Sequence, residues 1–77
     1  MKGIQAHYFG MITDITGCSN EELEVADRAE LEALLFTKYP SLKHCRFRIA
    51  VNQQIQDENY TLKPGDEVAL LPPFSGG

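Results

Sequence analysis

The 77-residue sequence lacks the patterns that identify most enzymes and metal proteins. It contains no Gly-x-x-x-x-Gly-Lys loop, so no segment is recognisable as a cradle for the phosphates of a nucleotide. Its two histidines, His7 and His44, stand far apart and do not show the spacing of a metal site. No Ser/His/Asp or Cys/His constellation is recognisable either. We therefore expect a chain that binds no metal and no cofactor and that is non-catalytic alone.

Cysteine is scarce, and the charge balance is acidic rather than basic. The two cysteines, Cys18 and Cys45, do not form a Cys-x-x-Cys motif, and in a reducing compartment both thiols stay free. Cys45 falls on the apolar phase of a strand pattern, which favours a small buried side chain, whereas Cys18 lies in a loop without an assigned role. The formal net charge of −4 argues against non-specific binding of nucleic acid and favours protein partners with basic docking faces.

Long apolar runs are also absent. No stretch approaches the length of a membrane span, and residues 1–4 lead directly into an alternating pattern rather than an apolar signal segment. We expect a cytoplasmic protein that does not interact with membranes. Its length fits one domain, near the lower limit at which a hydrophobic core is stable without disulfides or metals.

Alternation of apolar and polar residues predicts the first two strands. Residues 4–13 form the first strand, residues 17–20 a turn, and residues 22–25 a short return strand that pairs antiparallel with the first. Phe9 and Met11 lie on a phase that is otherwise mostly polar. They indicate either an exposed apolar partner site or ordinary packing at a sheet edge, and the pattern leaves both open.

A helix begins after Asp27. The side chain of Asp27 suits an N-cap, and Glu30 three residues later completes a capping-box pattern. Four apolar residues at helical spacing form one buried face: Leu31, Leu34, Leu35 and Tyr39. The helix ends near Pro40, because proline disfavours the helical conformation of the residue before it.

A further strand is predicted at residues 45–51, with Arg46 and Arg48 on its polar side. These arginines are either solvated charges or partners for the carboxylates of another protein.

Two turns frame the end of the domain. Asn52 tolerates a positive φ and suits a hairpin turn, while Pro64 and Gly65 fit the central positions of a type II turn. The last strand follows at residues 67–71. The order of elements predicts an α+β fold with a mixed sheet of four to five strands and one main helix.

The acidic residues of the chain have structural interpretations. Asp66 and Glu67 directly follow a turn and are expected to be solvated carboxylates rather than an acid–base pair. The group Glu21, Glu22 and Glu24 is interpreted as a charged strand edge that opposes aggregation.

The last six residues form a tail with the sequence Pro72-Pro73-Phe74-Ser75-Gly76-Gly77. Its prolines keep the start extended, and glycine, which lacks a Cβ, fits a channel too narrow for side chains. Fully extended, the tail reaches roughly 20 Å beyond the strand. A frayed end is the alternative, although the apolar side chain in the middle does not favour a solvated tail. We predict a domain at residues 1–71 and a carrier tail at residues 72–77.

Three segments, residues 51–53, residues 62–69 and the tail, resemble the small, sulfur-carrying subunit of molybdopterin synthase. The resemblance implies a β-grasp, ubiquitin-like fold. It also implies that a ubiquitin-activating-type enzyme uses ATP to adenylate Gly77, and that a sulfur donor protein converts the adenylate to a thiocarboxylate. The tail then enters the large subunit of molybdopterin synthase, where the sulfur passes to cyclic pyranopterin monophosphate in molybdenum cofactor biosynthesis.

The resemblance also assigns site residues. Gly77 and the preceding Gly76 form the reactive end, and the partner-binding residues are Phe9, Ile55, Leu71, Phe74 and Ser75. The sequence supports part of this assignment independently, because Leu70 and Leu71 are adjacent in a strand and one of them must face away from the core. The implied assembly is a heterotetramer in which two small subunits flank a dimer of large ones.

The C-terminal tail is also compatible with other functions. The chain is alternatively a sulfur carrier for thiamine or another pathway, a ubiquitin-like modifier attached to lysines through Gly77, or an interaction module with an inert tail.

Overall fold

A computed structural model of the protein describes residues 3–56 and 58–72. The elements are β1 (Ile4–Tyr8), α1 (Met11–Thr16), β2 (Asn20–Leu23), α2 (Arg28–Lys38), a 3₁₀ helix (Pro40–His44), β3 (Arg48–Val51), β4 (Gln54–Ile55) and β5 (Glu67–Leu71). No helix within the described ranges is both long enough and apolar enough to span a membrane.

The strands form one five-stranded sheet in the order β2-β1-β5-β3-β4. β1 and β5 are parallel, whereas the pairs β1/β2, β3/β5 and β3/β4 are antiparallel. The predicted mixed sheet with one main helix is therefore confirmed. Because β5 lies at the centre of the sheet, the last strand is held on both sides by hydrogen-bonded neighbours.

The core lies between α2 and one face of the sheet, here called the inner face. Ile4, Ala6 and Tyr8 of β1 and Val68 and Leu70 of β5 alternate onto this face and are at most 2% exposed. The helices and the remaining strands complete the cluster with Ile12, Leu23, Leu31, Leu35, Leu42, Ile49 and Val51. The strand residues that alternate with these core positions project from the opposite side of the sheet, here called the outer face.

α2 forms as the sequence predicts. The side chain of Asp27 accepts a hydrogen bond from the backbone N–H of Glu30 (2.9 Å). The Glu30 side chain accepts a hydrogen bond from the backbone N–H of Ala26 (2.8 Å). In a standard capping box the donor would be the N–H of the N-cap residue, Asp27. The helix ends at Lys38, directly before Tyr39 and the following proline.

The predicted first strand at residues 4–13 is wrong in its second half. β1 ends at Tyr8, and Gly10 then adopts φ 60° and ψ −137°, which is the geometry of the first central residue of a type II′ turn. The backbone N–H of Ile12 donates to the carbonyl of Phe9 (3.2 Å) and closes this turn. The chain continues as α1, so Met11 belongs to a helix and not to the strand.

The predicted strand at residues 45–51 is also too long. β3 begins at Arg48, because the segment before it forms the 3₁₀ helix with a proline in its first turn. Leu42 anchors this helix in the core. Cys45 follows it and is half-buried rather than buried as expected, and both cysteines are free thiols.

Both predicted turns are confirmed. Asn52 (φ 49°) and Gln53 (φ 74°) form a tight hairpin turn between β3 and β4. Gly65 has φ 92°, and the N–H of Asp66 donates to the carbonyl of Lys63 (3.0 Å), as a type II turn requires.

Candidate functional site

The outer face of the sheet is built from residues that alternate with the core positions. His7 pairs with Ala69, Ala69 with Ala50, and Ala50 with Ile55, so these four residues form one row across four strands. Residues that pair directly in a sheet project from the same face. The two residues in the middle of the row, Ala69 and Ala50, have small side chains.

A second row lies next to this one, toward the end of β5. Leu71 pairs with Arg48 and is half-buried, whereas its neighbour Leu70 is fully buried on the inner face. The expectation that one of the two leucines faces away from the core is confirmed. Phe9 follows β1 directly, and it lines the same outer surface as His7 and Ala69.

Three of the predicted partner-binding residues therefore lie on one surface. Phe9 is 47% exposed and Ile55 is 43% exposed. With the half-buried Leu71, they place exposed apolar surface on the outer face. Their assignment as docking residues stays a prediction.

A cleft of about 210 Å³ opens on the outer face beside Phe9. Among the described residues it is lined by His7, Phe9, Gln53, Glu67, Val68 and Ala69. The ring nitrogen Nε2 of His7 lies 3.7 Å from Oε1 of Glu67, which is too long for a hydrogen bond. His7, interpreted from the sequence as a lone histidine, is thus part of a polar pair next to the apolar surface.

The β3–β4 hairpin is tied to the start of β5 by polar contacts. The N–H of Asn52 donates to the carbonyl of Glu67 (2.7 Å), and the N–H of Glu67 donates to Oδ1 of Asn52 (3.0 Å). Asp66 accepts from the N–H of Lys63 (2.9 Å) and from Nδ2 of Asn52 (3.2 Å). Asp66 is therefore a structural residue of the turn, and the outer face is a fixed surface at this end.

The tail leaves the domain from the central strand. After Leu71, Pro72 is half-buried, and its ring packs so close to Gly10 that a Cβ at residue 10 would lie 3.1 Å from Cγ of the proline. The tail thus starts beside Phe9 and the outer face. The predicted site residues Phe74, Ser75, Gly76 and Gly77 lie outside the described residues.

Glu21 is a structural centre that the sequence interpretation missed. Its carboxylate accepts hydrogen bonds from the hydroxyls of Tyr8 (2.6 Å) and Tyr39 (2.6 Å) and from Nζ of Lys38 (2.7 Å). Burial raises the pKa of the Glu21 carboxyl, but the hydrogen bonds from Lys38, Tyr39 and Tyr8 outweigh burial and hold this pKa below its ordinary value of 4.5. Glu21 is therefore not merely a charge on a strand edge.

The tyrosines of this centre are held in their neutral form. Burial and then the hydrogen bond to Glu21 raise the pKa of Tyr8 well above its ordinary value of 10. For Tyr39 the hydrogen bond to Glu21 is the larger cause and burial the second, and its pKa is likewise raised. Both hydroxyls act as donors and have no acid–base role near neutral pH.

The described residues offer little to a metal ion. No group of three or more His, Cys, Asp or Glu side chains within residues 3–56 and 58–72 is arranged to hold one. Arg46 and Arg48 are exposed, and Arg48 lies in the row of Leu71 on the outer face.

Comparisons with known proteins agree with this geometry. The sequence profile of the ThiS family matches residues 6–77. The chain is 36% identical to the molybdopterin synthase sulfur carrier subunit of Homo sapiens over an 84-residue alignment, which covers 96% of this chain and 93% of the human protein. Its fold is similar to that of the putative molybdopterin converting factor, subunit 1, from Pyrococcus furiosus, with a TM-score of 0.87 and 23% identity over 96% of this chain and 100% of that one.

A second solved structure is the protein–protein complex of subunits 1 and 2 of the molybdopterin-converting factor from Helicobacter pylori. The similarity to a chain of that complex has a TM-score of 0.74 and 32% identity, over 96% of this chain and 97% of the other. The β-grasp fold that the resemblance implied is thereby confirmed. The chain belongs to the ThiS family of ubiquitin-like proteins, together with the molybdopterin synthase sulfur carrier subunits that it resembles in sequence.

Proposed function

We propose that this protein is the sulfur-carrying small subunit of molybdopterin synthase. Its relatives bear that name and match nearly their whole length, and the H. pylori relative is seen in a complex of subunits 1 and 2. The observation that supports the proposal best is the outer face, which presents Phe9, Ile55 and Leu71 on one surface, with Leu71 at the base of the tail. A large subunit that covers this face holds the domain while the tail reaches its active site.

The chemistry of the carrier resides in the carboxylate of Gly77. A carboxylate is a poor electrophile, because its negative charge is delocalised and its leaving group is bad. A ubiquitin-activating-type enzyme transfers AMP from ATP to this carboxylate and releases pyrophosphate. A sulfur donor protein then supplies sulfide-level sulfur, which displaces AMP and forms the thiocarboxylate. This sulfur passes to cyclic pyranopterin monophosphate, and an oxygen from water restores the carboxylate of Gly77. The domain supplies docking and reach, while its partners supply catalysis.

Docking also explains why the domain presents apolar surface on its outer face. Burying exposed aromatic and aliphatic side chains at the centre of an interface is the main source of stable association between proteins. An extended tail of six residues reaches roughly 20 Å, enough to cross into a neighbouring active site. In the proposed heterotetramer, each large subunit binds one small subunit in this way.

The experiment that tests the proposal is intact mass spectrometry of the protein purified from its own organism. The expected result is a fraction whose mass is raised by the replacement of one oxygen with sulfur, with the change located at Gly77 by fragmentation. An isopeptide adduct between Gly77 and a lysine would show a protein modifier instead. An unmodified end in cells that actively make the cofactor would contradict both. Co-purification of a large molybdopterin synthase subunit, rather than a thiamine enzyme, then identifies the pathway.

A further inference from the structure

The cleft beside Phe9 is too small for a cofactor and has the size of one side chain. Its volume of about 210 Å³ lies below the roughly 300–1,000 Å³ typical of pockets for small-molecule ligands. It also lies on the outer face, in the row of His7 and Ala69 and adjacent to the proposed docking residues. An occupant of the cleft is therefore expected to come from the docked protein.

The charge of the cleft indicates which kind of side chain from the docked protein would bind there. Glu67 is the only carboxylate among the described lining residues, its side chain is 70% exposed, and no lysine or arginine lines the cleft with it. The carboxylate is thus available to a cation from outside. The net charge of the whole chain, −4, also favours a partner with a positively charged surface.

The ring of His7 adds a second polar group, which has no hydrogen-bond partner among the described residues. Its Nε2 is shielded from water, and no atom of the described residues forms a hydrogen bond with it. Oε1 of Glu67 lies 3.7 Å from this nitrogen. Because the gap of 3.7 Å admits no atom between the two groups, an incoming donor with several N–H groups contacts both only after the exposed Glu67 side chain turns outward.

The apolar wall suits a flat cationic group. Phe9 is 47% exposed, and the face of an aromatic ring attracts a guanidinium through its quadrupole. Arginine presents five N–H donors in a planar fork that binds a carboxylate with one edge and keeps donors free for another acceptor. Lysine offers a compact point charge without this geometry.

We propose that the cleft beside Phe9 receives an arginine side chain of the docked protein, with Glu67 as its charge partner and Phe9 against its guanidinium. This inference rests on the proposed function, in which the docked protein is the large subunit of molybdopterin synthase. It adds a polar anchor to an otherwise apolar interface. Such an anchor fixes the register of the two proteins and sets the direction in which the tail leaves.

The test is the affinity of the complete small subunit for the large subunit of the same organism, measured by titration calorimetry at low and moderate salt. Glu67→Gln is expected to weaken binding on the order of tenfold, as loss of a hydrogen bond between charged groups predicts, and to reduce its salt dependence. Glu24→Gln is the matched control. It removes an exposed carboxylate from the segment between β2 and α2, outside the cleft, and should bind within about twofold of wild type.

Glu67→Gln should fold normally, because the side chain is exposed and the hydrogen bonds of Glu67 to Asn52 involve only its backbone. Binding of Glu67→Gln within twofold of the Glu24→Gln control, or tighter than wild type, would overturn the inference while leaving the proposed function intact. If wild-type protein does not bind the large subunit at all, the proposed function and the inference both fail.

Discussion

Glu21 joins three parts of the chain that are far apart in sequence. Its carboxylate connects β2 with Tyr8 at the end of β1, and with Lys38 and Tyr39 at the end of α2. The rings of Tyr8 and Tyr39 also meet edge to face, with centroids 6.2 Å apart. One carboxylate thereby fixes the end of the main helix to the edge of the sheet.

Replacing Glu21 with alanine should lower the free energy of unfolding by about 2–3 kcal/mol, because two tyrosine hydroxyls lose their acceptor in a partly buried site. Urea denaturation followed by circular dichroism measures the change. Glu24→Ala, at an exposed position nearby in sequence, is the control and should change stability by less than about 0.5 kcal/mol. Equal effects of the two substitutions would show that the hydrogen bonds to Glu21 do not contribute to the free energy of unfolding.

The lowered pKa of Glu21 predicts how stability depends on acid. A carboxyl whose pKa is lower in the folded than in the unfolded protein stabilises the fold above the unfolded value, here near 4.5, and loses that effect as the pH falls through the folded value. The difference in unfolding free energy between wild type and Glu21→Gln should therefore be full at pH 7 and shrink in acid below pH 4.5. A difference that stays constant over this range would contradict the assignment.

The sequence could not reveal this centre. Glu21 is separated from Tyr8 by 13 residues and from Tyr39 by 18, and only the sheet register and the path of α2 bring them together. A cluster of glutamates next to a strand is more often a solvated edge, so the local pattern favoured the wrong interpretation.

The elements that sequence predicts well are those determined by local chemistry. The Asp27 cap, the end of α2 before Pro40 and the type II turn at Gly65 each depend on contacts within a few residues. Sequence therefore located all three correctly. The adjacency of Leu70 and Leu71 in β5 likewise required that one of them face outward, and the structure shows that it is Leu71.

The elements that sequence predicts poorly are those where alternation continues past the end of a strand. The pattern of residues 4–13 remains regular through Gly10, although the positive φ of this glycine turns the chain into α1. A helix of six residues is too short to establish a period of its own. In the same way, residues 45–47 fit the pattern of β3 but follow a 3₁₀ helix that holds them out of the sheet.

Gly10 connects the end of β1 with the base of the tail, and Gly10→Ala tests this connection. A Cβ there faces both an unfavourable positive φ and the ring of Pro72 at 3.1 Å, so we expect a loss of about 1–3 kcal/mol in unfolding free energy. Gly17→Ala is the matched comparison, since its φ is 76° but no atom lies within 4 Å of an added Cβ. A larger loss at Gly17 than at Gly10 would show that the contact with Pro72 is unimportant.

The outer face is a property of the assembled sheet and not of any one segment. Phe9, Ile55 and Leu71 come from three separate stretches of the chain, and the assembly of β1, β5, β3 and β4 places them on one face of the sheet. The sequence could name these residues only through a family resemblance. It gave no sign of the cleft at His7 and Glu67, because neither residue has a distinctive local pattern.

Charged substitutions on the outer face should separate docking from folding. Phe9→Glu and Ile55→Glu should each weaken binding of the large subunit by at least about 30-fold, because a central apolar contact is replaced by a desolvated charge. Thermal stability should change little, since both side chains are exposed in the domain. Ala33→Glu adds the same charge to the exposed side of α2 and should bind normally. Loss of folding in the outer-face variants would mean that these residues support the domain itself.

The reactive end of the carrier is tested most directly by changing the last residue alone. A variant that lacks Gly77 and a variant extended beyond Gly77 by one uncleavable residue are expressed in cells that lack the native protein, and molybdopterin formation is measured. Both should fold and bind the large subunit as wild type does, because the docking face is unchanged, yet neither should support transfer of sulfur to the pterin. Wild-type levels of molybdopterin with either variant would show that the terminal carboxylate of Gly77 is not the sulfur carrier.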